Sequence, residues 1–252
     1  MNIRQTRRHW EKFARTDPFW AVLTAPGREN RGWSEEEFFR TGRESVAAEL
    51  KGVRMHWPGM RSGRALDFGC GVGRLTQALA EHFDEVTGVD IAEQMLELAR
   101  RYNRHGGRVH YLHNTQTDLR ILPDGHFDFV YSIITLQHME PRYAKLYIAE
   151  FARVCARGGV VLFQVPGLIP PPARDHFRFS FWPPTLWKRM KRHANRAIGN
   201  WFTMKPIMEM HAIPREEVLA LIDAIGLRLI VDYRYDAAGP EMESWGYLAV
   251  KP

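Results

Sequence analysis

The sequence has few cysteines and no long apolar run. Its two cysteines, Cys70 and Cys155, are too few for a disulfide framework and stand in no CxxC or metal-ligand spacing. No uncharged run reaches the roughly 20 residues that a membrane helix needs, because Gln164 and several prolines interrupt the best candidate, 158–173. The N-terminus lacks the apolar core and cleavage site of a secretory signal. We therefore expect a cytoplasmic protein without transmembrane segments and with both cysteines reduced.

The composition is that of an ordinary folded protein. Hydrophobic residues make up 45% and charged residues 25% of the 252 positions, which excludes collagenous and disordered classes. The formal net charge of +6 does not by itself identify a nucleic-acid or membrane partner. The length predicts one α/β domain with an insertion.

Short β-branched runs alternate with helical periodicity between residues 64 and 165. Strands are predicted at 64–68, 85–89, 108–112, 127–132 and 160–165, with a helix opening at Pro141 and closing at Gly158. A helix at 214–224 and strands at 227–233 and 244–250 follow. The pattern indicates an α/β, Rossmann-like, doubly wound fold, whose mostly parallel seven-stranded sheet has an antiparallel last strand.

Two further segments surround this sheet. Ser34 with Glu37 forms a capping box, and Trp33 with Phe38 a hydrophobic staple, so a helix is predicted to begin near residue 35. The aromatic arm before it is interpreted as irregular and as a lid. The single domain is therefore divided into an N-terminal lid and helix (1–60), a cofactor-binding core (61–165), a cap insertion (166–212) and C-terminal elements of the sheet (213–252).

The run LDFGCGVGR, from Leu66 to Arg74, joins the first strand to a helix. Its glycines allow a sharp turn and close approach of a ligand to the helix N-terminus. Asp90 ends the second strand, where a carboxylate can accept hydrogen bonds from both hydroxyls of a ribose. These features predict an adenosine-containing cofactor.

The glycine spacing distinguishes between adenosine cofactors. A dinucleotide fingerprint needs a glycine where Arg74 or Thr76 stands. Asp67, two residues before the first glycine, would repel a pyrophosphate but could hold an ammonium directly or through water. S-adenosylmethionine is favoured, and a nicotinamide oxidoreductase is disfavoured.

Several motifs occur together at a characteristic spacing: LDFGCGVGRL, GVDI, Met95, the loop TDL, FDFVYS and RVCARGGVVLF. In these, residues 64–165 resemble the class I S-adenosylmethionine-dependent methyltransferases, specifically the small-molecule, ubiquinone-biosynthesis-like group. The resemblance implies a cofactor site formed by Asp67, Gly69, Cys70, Gly71, Gly73, Asp90, Ile91, Met95, Thr117, Asp118, Leu119 and Ser132. It places the glycine loop at the methionine end, Asp90 at the ribose and 117–119 at the adenine edge. A turn-forming role explains Asp118 equally well.

Methyl transfer requires few catalytic side chains because the cofactor supplies the activation. His138 follows the fourth strand and is the candidate general base, while a backbone-bonded structural histidine is the alternative. We expect transfer to an oxygen or nitrogen of a small molecule such as a sugar, a glycolipid intermediate or a natural product. A non-enzymatic or repurposed S-adenosylmethionine-binding protein is the alternative. No metal site is predicted.

The insertion interleaves aromatic with basic residues. It is predicted to select the acceptor, either as a pocket with a basic rim or, through 174–202, as a membrane-surface contact. A cap with an aromatic core and solvated bases is equally compatible. Nucleic acid is disfavoured because no RNA-binding module accompanies the pattern. The oligomeric state is not predicted.

Overall fold

The computed structural model describes residues 1–169, 206–235 and 242–252. In this part of the chain the strands form one sheet: β1 (Arg64–Phe68), β2 (Glu85–Asp90), β3 (Val109–His113), β4 (Phe127–Ser132), β5 (Cys155–Leu168), β6 (Arg228–Arg234) and β7 (Glu243–Val250). Their order is β3-β2-β1-β4-β5-β7-β6. The first five pair in parallel, whereas β7 is antiparallel to β5 and to β6. The predicted fold class is confirmed.

The central strands are buried on both faces, as their nearly continuous apolar sequences require. The bounds predicted for β1 and β4 are correct. The prediction for β5 was too short, because β7 pairs with it as far as Leu168 opposite Glu243. Pro166 pairs with Ser244 next to a register shift, a kind of irregularity at which proline occurs in sheets. The cap insertion at 166–212 stays a prediction, because its residues 170–205 lie outside the described residues.

The helices connect the strands and cover both faces of the sheet. They are α1 (Ile3–Thr16), α2 (Pro18–Val22), α3 (Glu35–His56), α4 (Arg74–Leu79), α5 (Glu93–Tyr102), α6 (Pro141–Val154) and α7 (Arg215–Ala224). One core cluster lies beneath α6 and α7, and a second lies beneath α3, α4 and α5. No helix in the described part of the chain is long and apolar enough to cross a membrane.

The capping signals set the start of α3 as predicted. Ser34 Oγ accepts a hydrogen bond from the Glu37 backbone N–H at 3.3 Å, and the Trp33 ring meets the Phe38 ring edge-on. By contrast, α6 ends at Val154 rather than at Gly158, which lies within β5.

The N-terminal arm is helical, which corrects its interpretation as irregular. Asn2 and Gln5 form a reciprocal capping box at the start of α1. Phe13 of α1 packs in a cluster with Met95 of α5, and Phe19 of α2 stacks on Phe38 at 4.3 Å between ring centroids. The aromatic residues of the arm are thus covered by the core domain, and the arm lies at the carboxyl end of the parallel strands.

Candidate functional site

A cavity lies at the carboxyl ends of β1, β2 and β4. It contains about 870 Å³ of space not filled by atoms, part of which opens to solvent. The glycine loop after β1, the end of β2 and the segment after β4 form three walls, and the arm forms the fourth. Ligands bind at this edge in open α/β sheets.

The glycine loop adopts left-handed backbone conformations, which are strained for residues other than glycine. Gly69 and Gly71 line the cavity with φ values of +79° and +53°. A Cβ on Gly69 would overlap the side chain of Thr135, and one on Gly71 would lie 2.7 Å from Cγ2 of Val22 in the arm. Glycine is therefore required both by conformation and by the close approach of neighbouring walls.

Asp90 connects the end of β2 to the glycine loop. Its Oδ2 accepts a hydrogen bond from Gly71 N–H and its Oδ1 one from Ala92 N–H, both at 2.8 Å. Burial raises the pKa of this carboxyl group, while the backbone hydrogen bonds oppose the shift. A carboxylate has about four lone-pair positions, so acceptor positions remain for a ligand.

Asp67 lies behind the loop rather than on the cavity wall. The side chain is buried, and its Oδ2 accepts a 2.6 Å hydrogen bond from Thr76 Oγ1. Burial raises the pKa of Asp67 to about 6. Gly73 also lies off the cavity, as the N-cap of α4 with φ of 81°. The contact of these two residues with the methionine end stays a prediction, and in the structure both residues shape the loop.

The structure brings some of the predicted residues together and separates others. The cavity wall contains Gly69, Cys70, Gly71, Asp90, Ile91 and His138. Met95 instead packs beneath the arm, and Ser132 is buried with its Oγ donating to the Phe68 carbonyl at 3.1 Å. The contacts of Met95 and Ser132 with the cofactor stay predictions.

The loop 117–119 also does not reach the cavity. The side chain of Asp118 accepts a hydrogen bond from Arg120 N–H, as in an Asx turn, and Leu119 is fully buried in the core. Thr117 precedes them and is likewise absent from the wall. This contact supports the turn interpretation of Asp118, and its role at the adenine edge stays a prediction. Asn114, which follows β3 at the same sheet edge, lines the cavity instead.

His138 is buried at the cavity wall and is neutral at physiological pH. Its Nδ1 lies 3.0 Å from the Glu209 carbonyl oxygen, which can only accept, so Nδ1 carries the proton. Nε2 is then an acceptor and lies 3.4 Å from the Gln137 amide nitrogen. Burial lowers the pKa of His138 to about 4. The ring of Trp10 meets the imidazole edge-on at 5.2 Å.

The amide orientation next to His138 is set by a chain of buried hydrogen bonds. Ile134 N–H donates to Gln164 Oε1 at 2.9 Å, so the Gln164 amide nitrogen points the other way and donates to Gln137 Oε1 at 3.1 Å. The Gln137 amide nitrogen therefore faces His138. Ile134 itself has φ of 56°, an unusual conformation for a β-branched residue and one that concentrates at functional sites.

The sequence predicts the arm as a lid but does not indicate which of its residues line the site. Ile3, Thr6 and Trp10 of α1 and Val22 of α2 line the cavity. The apolar spacing of α1 and its capping box were the available signals, but neither indicates which surface the helix covers. Among the described residues, no group of three or more His, Cys, Asp or Glu side chains is placed to hold a metal ion.

Comparison with known proteins identifies the domain. Residues 65–159 match the family model described as a methyltransferase domain. Over these residues the chain is similar to methyltransferases, and its fold is that of the class I S-adenosylmethionine-dependent methyltransferases. The ubiquinone biosynthesis O-methyltransferase of Idiomarina loihiensis is 30% identical over 136 residues, covering 54% of this chain and 55% of that protein. O-methyltransferase cnsE of Penicillium expansum is 40% identical over 97 residues, covering 36% and 35%. The chain thus spans about half the length, or less, of these curated relatives.

Solved structures of methyltransferases have a similar fold over nearly the full length of both chains. Magnesium protoporphyrin IX methyltransferase from Synechocystis, with bound S-adenosylhomocysteine, superposes with a TM-score of 0.65 at 16% identity and covers 100% of both chains. The N-methyltransferase NodS from Bradyrhizobium japonicum, in complex with the same molecule, gives a TM-score of 0.60 at 17% identity over 98% and 99% of the two chains. The acceptors of these proteins differ, so the fold alone does not define the acceptor.

The cavity of the methyltransferase domain fits S-adenosylmethionine. The glycine loop leaves no side chain between its backbone and the ligand space at Gly69 and Gly71. Asp90 keeps acceptor positions for ribose hydroxyls, and the remaining wall is mostly apolar, as a nucleoside and a thioether require.

Proposed function

We propose that the protein transfers a methyl group from S-adenosylmethionine to a hydroxyl oxygen of a small, largely apolar acceptor. The observation that carries the proposal is Asp90, held against the glycine loop at the strand edge with acceptor positions left for a ribose. The ubiquinone biosynthesis and cnsE relatives are named O-methyltransferases, which supports oxygen as the acceptor atom.

In this proposal each wall of the cavity has one task. Asp90 holds the ribose hydroxyls, Ile91 packs against the adenine, and the backbone of Gly69 and Gly71 lies along the methionine end. When bound, the cofactor supplies a methyl group activated by its sulfonium, so the protein chiefly has to align the acceptor and exclude water. Helix α1 performs the exclusion, because Trp10 closes the cavity on the side of His138.

The acceptor side of the cavity is apolar. Ile3, Trp10, Ile133 and Met139 line it. A free sugar would leave its hydroxyl groups without hydrogen-bond partners there, at a cost of about 1–3 kcal/mol for each. This lining favours a natural product or another hydroxylated apolar ring over a sugar.

His138 is the proposed proton acceptor. Bound S-adenosylmethionine would supply the methyl group, and Nε2 of His138 would accept the proton that the acceptor hydroxyl loses on methylation and pass it to solvent. The tautomer set by the Glu209 carbonyl leaves the lone pair on Nε2. The 3.4 Å contact with Gln137 is long for a hydrogen bond and can be exchanged for one to the acceptor hydroxyl.

A second function is a cofactor-binding protein without transferase activity. One observation favours it: both ring nitrogens of His138 have hydrogen-bond partners among the described residues. The imidazole can therefore accept a proton from an acceptor only after the contact with Gln137 is broken.

Two measurements test the proposal. Calorimetric titration with S-adenosylhomocysteine, with NAD as the parallel ligand, should show binding of the former alone; binding of NAD alone would refute the cofactor assignment. The protein is then incubated with cofactor carrying a trideuterated methyl group and a panel of phenolic, sugar and amine acceptors. Mass spectrometry should detect the label on a phenolic or similar hydroxyl. Binding without labelling of any acceptor supports the second function.

A further inference from the structure

Arg74 is a buried cation at the wall of the cavity. It is the first residue of α4, directly after the glycine loop, and only 5% of its surface is exposed. Among the residues that line the cavity in the described part of the chain, it is the only lysine or arginine. It stands where a dinucleotide fingerprint would have a glycine, so the loop of this protein brings a positive charge to the ligand space.

The guanidinium group has few partners of its own. Its Nη1 donates to Thr41 Oγ1 at 3.3 Å, whereas its Nε is buried without a hydrogen-bond partner. Within the described ranges, no carboxylate lies within 4.0 Å of its nitrogen atoms. Asp67, the nearest acidic group to influence it, instead accepts its hydrogen bond from Thr76.

A buried guanidinium without an ion pair is unfavourable unless a ligand supplies the anion. Arginine presents its donors as a planar fork that matches a carboxylate in bidentate geometry. The methionine end of S-adenosylmethionine carries one carboxylate, which is the only anionic group of the cofactor. Among the described residues that line the cavity, Asp90 is the one anion and lies at the proposed ribose position. Arg74 is the one cation, and it is available to the carboxylate of the cofactor.

We propose that Arg74 binds the carboxylate of the methionine end of the cofactor. The inference rests on the proposed function and adds to it the residue that distinguishes S-adenosylmethionine from nucleosides without an amino-acid chain. It also assigns a purpose to the glycine-to-arginine difference from the dinucleotide fingerprint.

The test removes the arginine and the carboxylate separately and together. Wild type and Arg74→Met are titrated calorimetrically with S-adenosylhomocysteine and with its decarboxylated analogue, 5′-deoxy-5′-(3-aminopropylthio)adenosine. The dissociation constant of wild type should be about 10- to 100-fold lower for S-adenosylhomocysteine than for the analogue. This ratio corresponds to the free energy of a charge-assisted bidentate contact. Arg74→Met should bind the analogue as wild type does and should lose the preference. Arg40→Met, on the exposed surface of α3, should retain it.

Each other outcome contradicts the inference. A wild-type protein that binds both ligands equally has no carboxylate site, and an Arg74→Met variant that keeps the preference places that site elsewhere. Equal weakening of both ligands would show a general effect of the substitution on the cavity. If circular dichroism shows that Arg74→Met is unfolded, Arg74→Lys is used, which keeps the charge but loses the fork and should show a smaller preference. Failure of wild type to bind either ligand would instead refute the proposed function.

Discussion

The carboxylate of Glu11 in α1 caps the helix that follows Asp90: its Oε1 accepts a hydrogen bond from Glu93 N–H at 3.0 Å. Its Oε2 accepts a second from Gln94 N–H at 3.2 Å. The N-cap residue of α5, Ala92, has no side-chain acceptor, so these amides depend on the arm. The arm is thereby attached at the same helix end that carries one wall of the cofactor cavity.

Glu11→Ala should therefore destabilise the protein by about 1 kcal/mol, the usual effect of removing an N-cap acceptor. Urea denaturation followed by circular dichroism measures this change. Glu97→Ala, on the exposed face of α5, should alter stability by less than about 0.5 kcal/mol. Equal effects of the two substitutions would show that the arm is not attached through Glu11.

Asp90→Ala should weaken binding of S-adenosylhomocysteine by about 100-fold or more. The substitution removes two charge-assisted hydrogen bonds to the ribose, each contributing about 1.5–3 kcal/mol, and also the acceptor that holds Gly71 N–H. Calorimetry measures the dissociation constant. The exposed Asp84→Ala, just before the same strand, is the control. Unchanged affinity in Asp90→Ala would refute the assignment of this residue to the ribose.

The low pKa of His138 predicts how stability depends on pH. Burial lowers this pKa from 6.5 to about 4, so the unfolded chain binds more protons than the folded one between these values. Stability is therefore full above pH 6.5 and is lost as the pH falls toward 4, by about 2 kcal/mol between pH 7 and pH 5. In His138→Gln the loss over this interval should be smaller by that amount, as measured by urea denaturation at each pH. The exposed His56→Gln should behave as wild type does, and an unchanged slope in His138→Gln would show that this histidine is not buried neutral.

The same variant tests the proposed base. If Nε2 of His138 accepts the acceptor proton, His138→Gln should reduce kcat by about 100-fold or more while binding S-adenosylhomocysteine as wild type does. Turnover retained across the pH range would reject the role and leave His138 as a structural histidine bonded to Glu209.

The sequence was sufficient for the sheet and for the side of the cavity made by consecutive motifs. Gly69, Gly71 and Asp90 were predictable because parallel strands place their carboxyl ends at one edge, so the residues after β1 and β2 must meet. The role of the loop 117–119 at the adenine edge stays a prediction, because the position of this loop depends on how the chain leaves β3, where Asn114 Nδ2 donates to the Asp118 carbonyl oxygen. The arm was predicted as a lid without its contacts, because the contact of Trp10 with His138 joins residues far apart in sequence, which no local pattern encodes.

Gly71→Ala combines backbone strain with a steric overlap. The residue has φ of +53°, which costs a non-glycine residue about 1–2 kcal/mol, and its new methyl group would lie 2.7 Å from Val22 of the arm. Relief of this overlap moves either the arm or the loop, and either movement disturbs the wall that Asp90 holds through Gly71 N–H. We expect affinity for S-adenosylhomocysteine to fall more than tenfold by calorimetry. Gly107→Ala, where a methyl group meets nothing within 4 Å and no left-handed φ is required, should bind as wild type does. Equal affinity of the two variants would show that the loop and the arm do not constrain each other at this position.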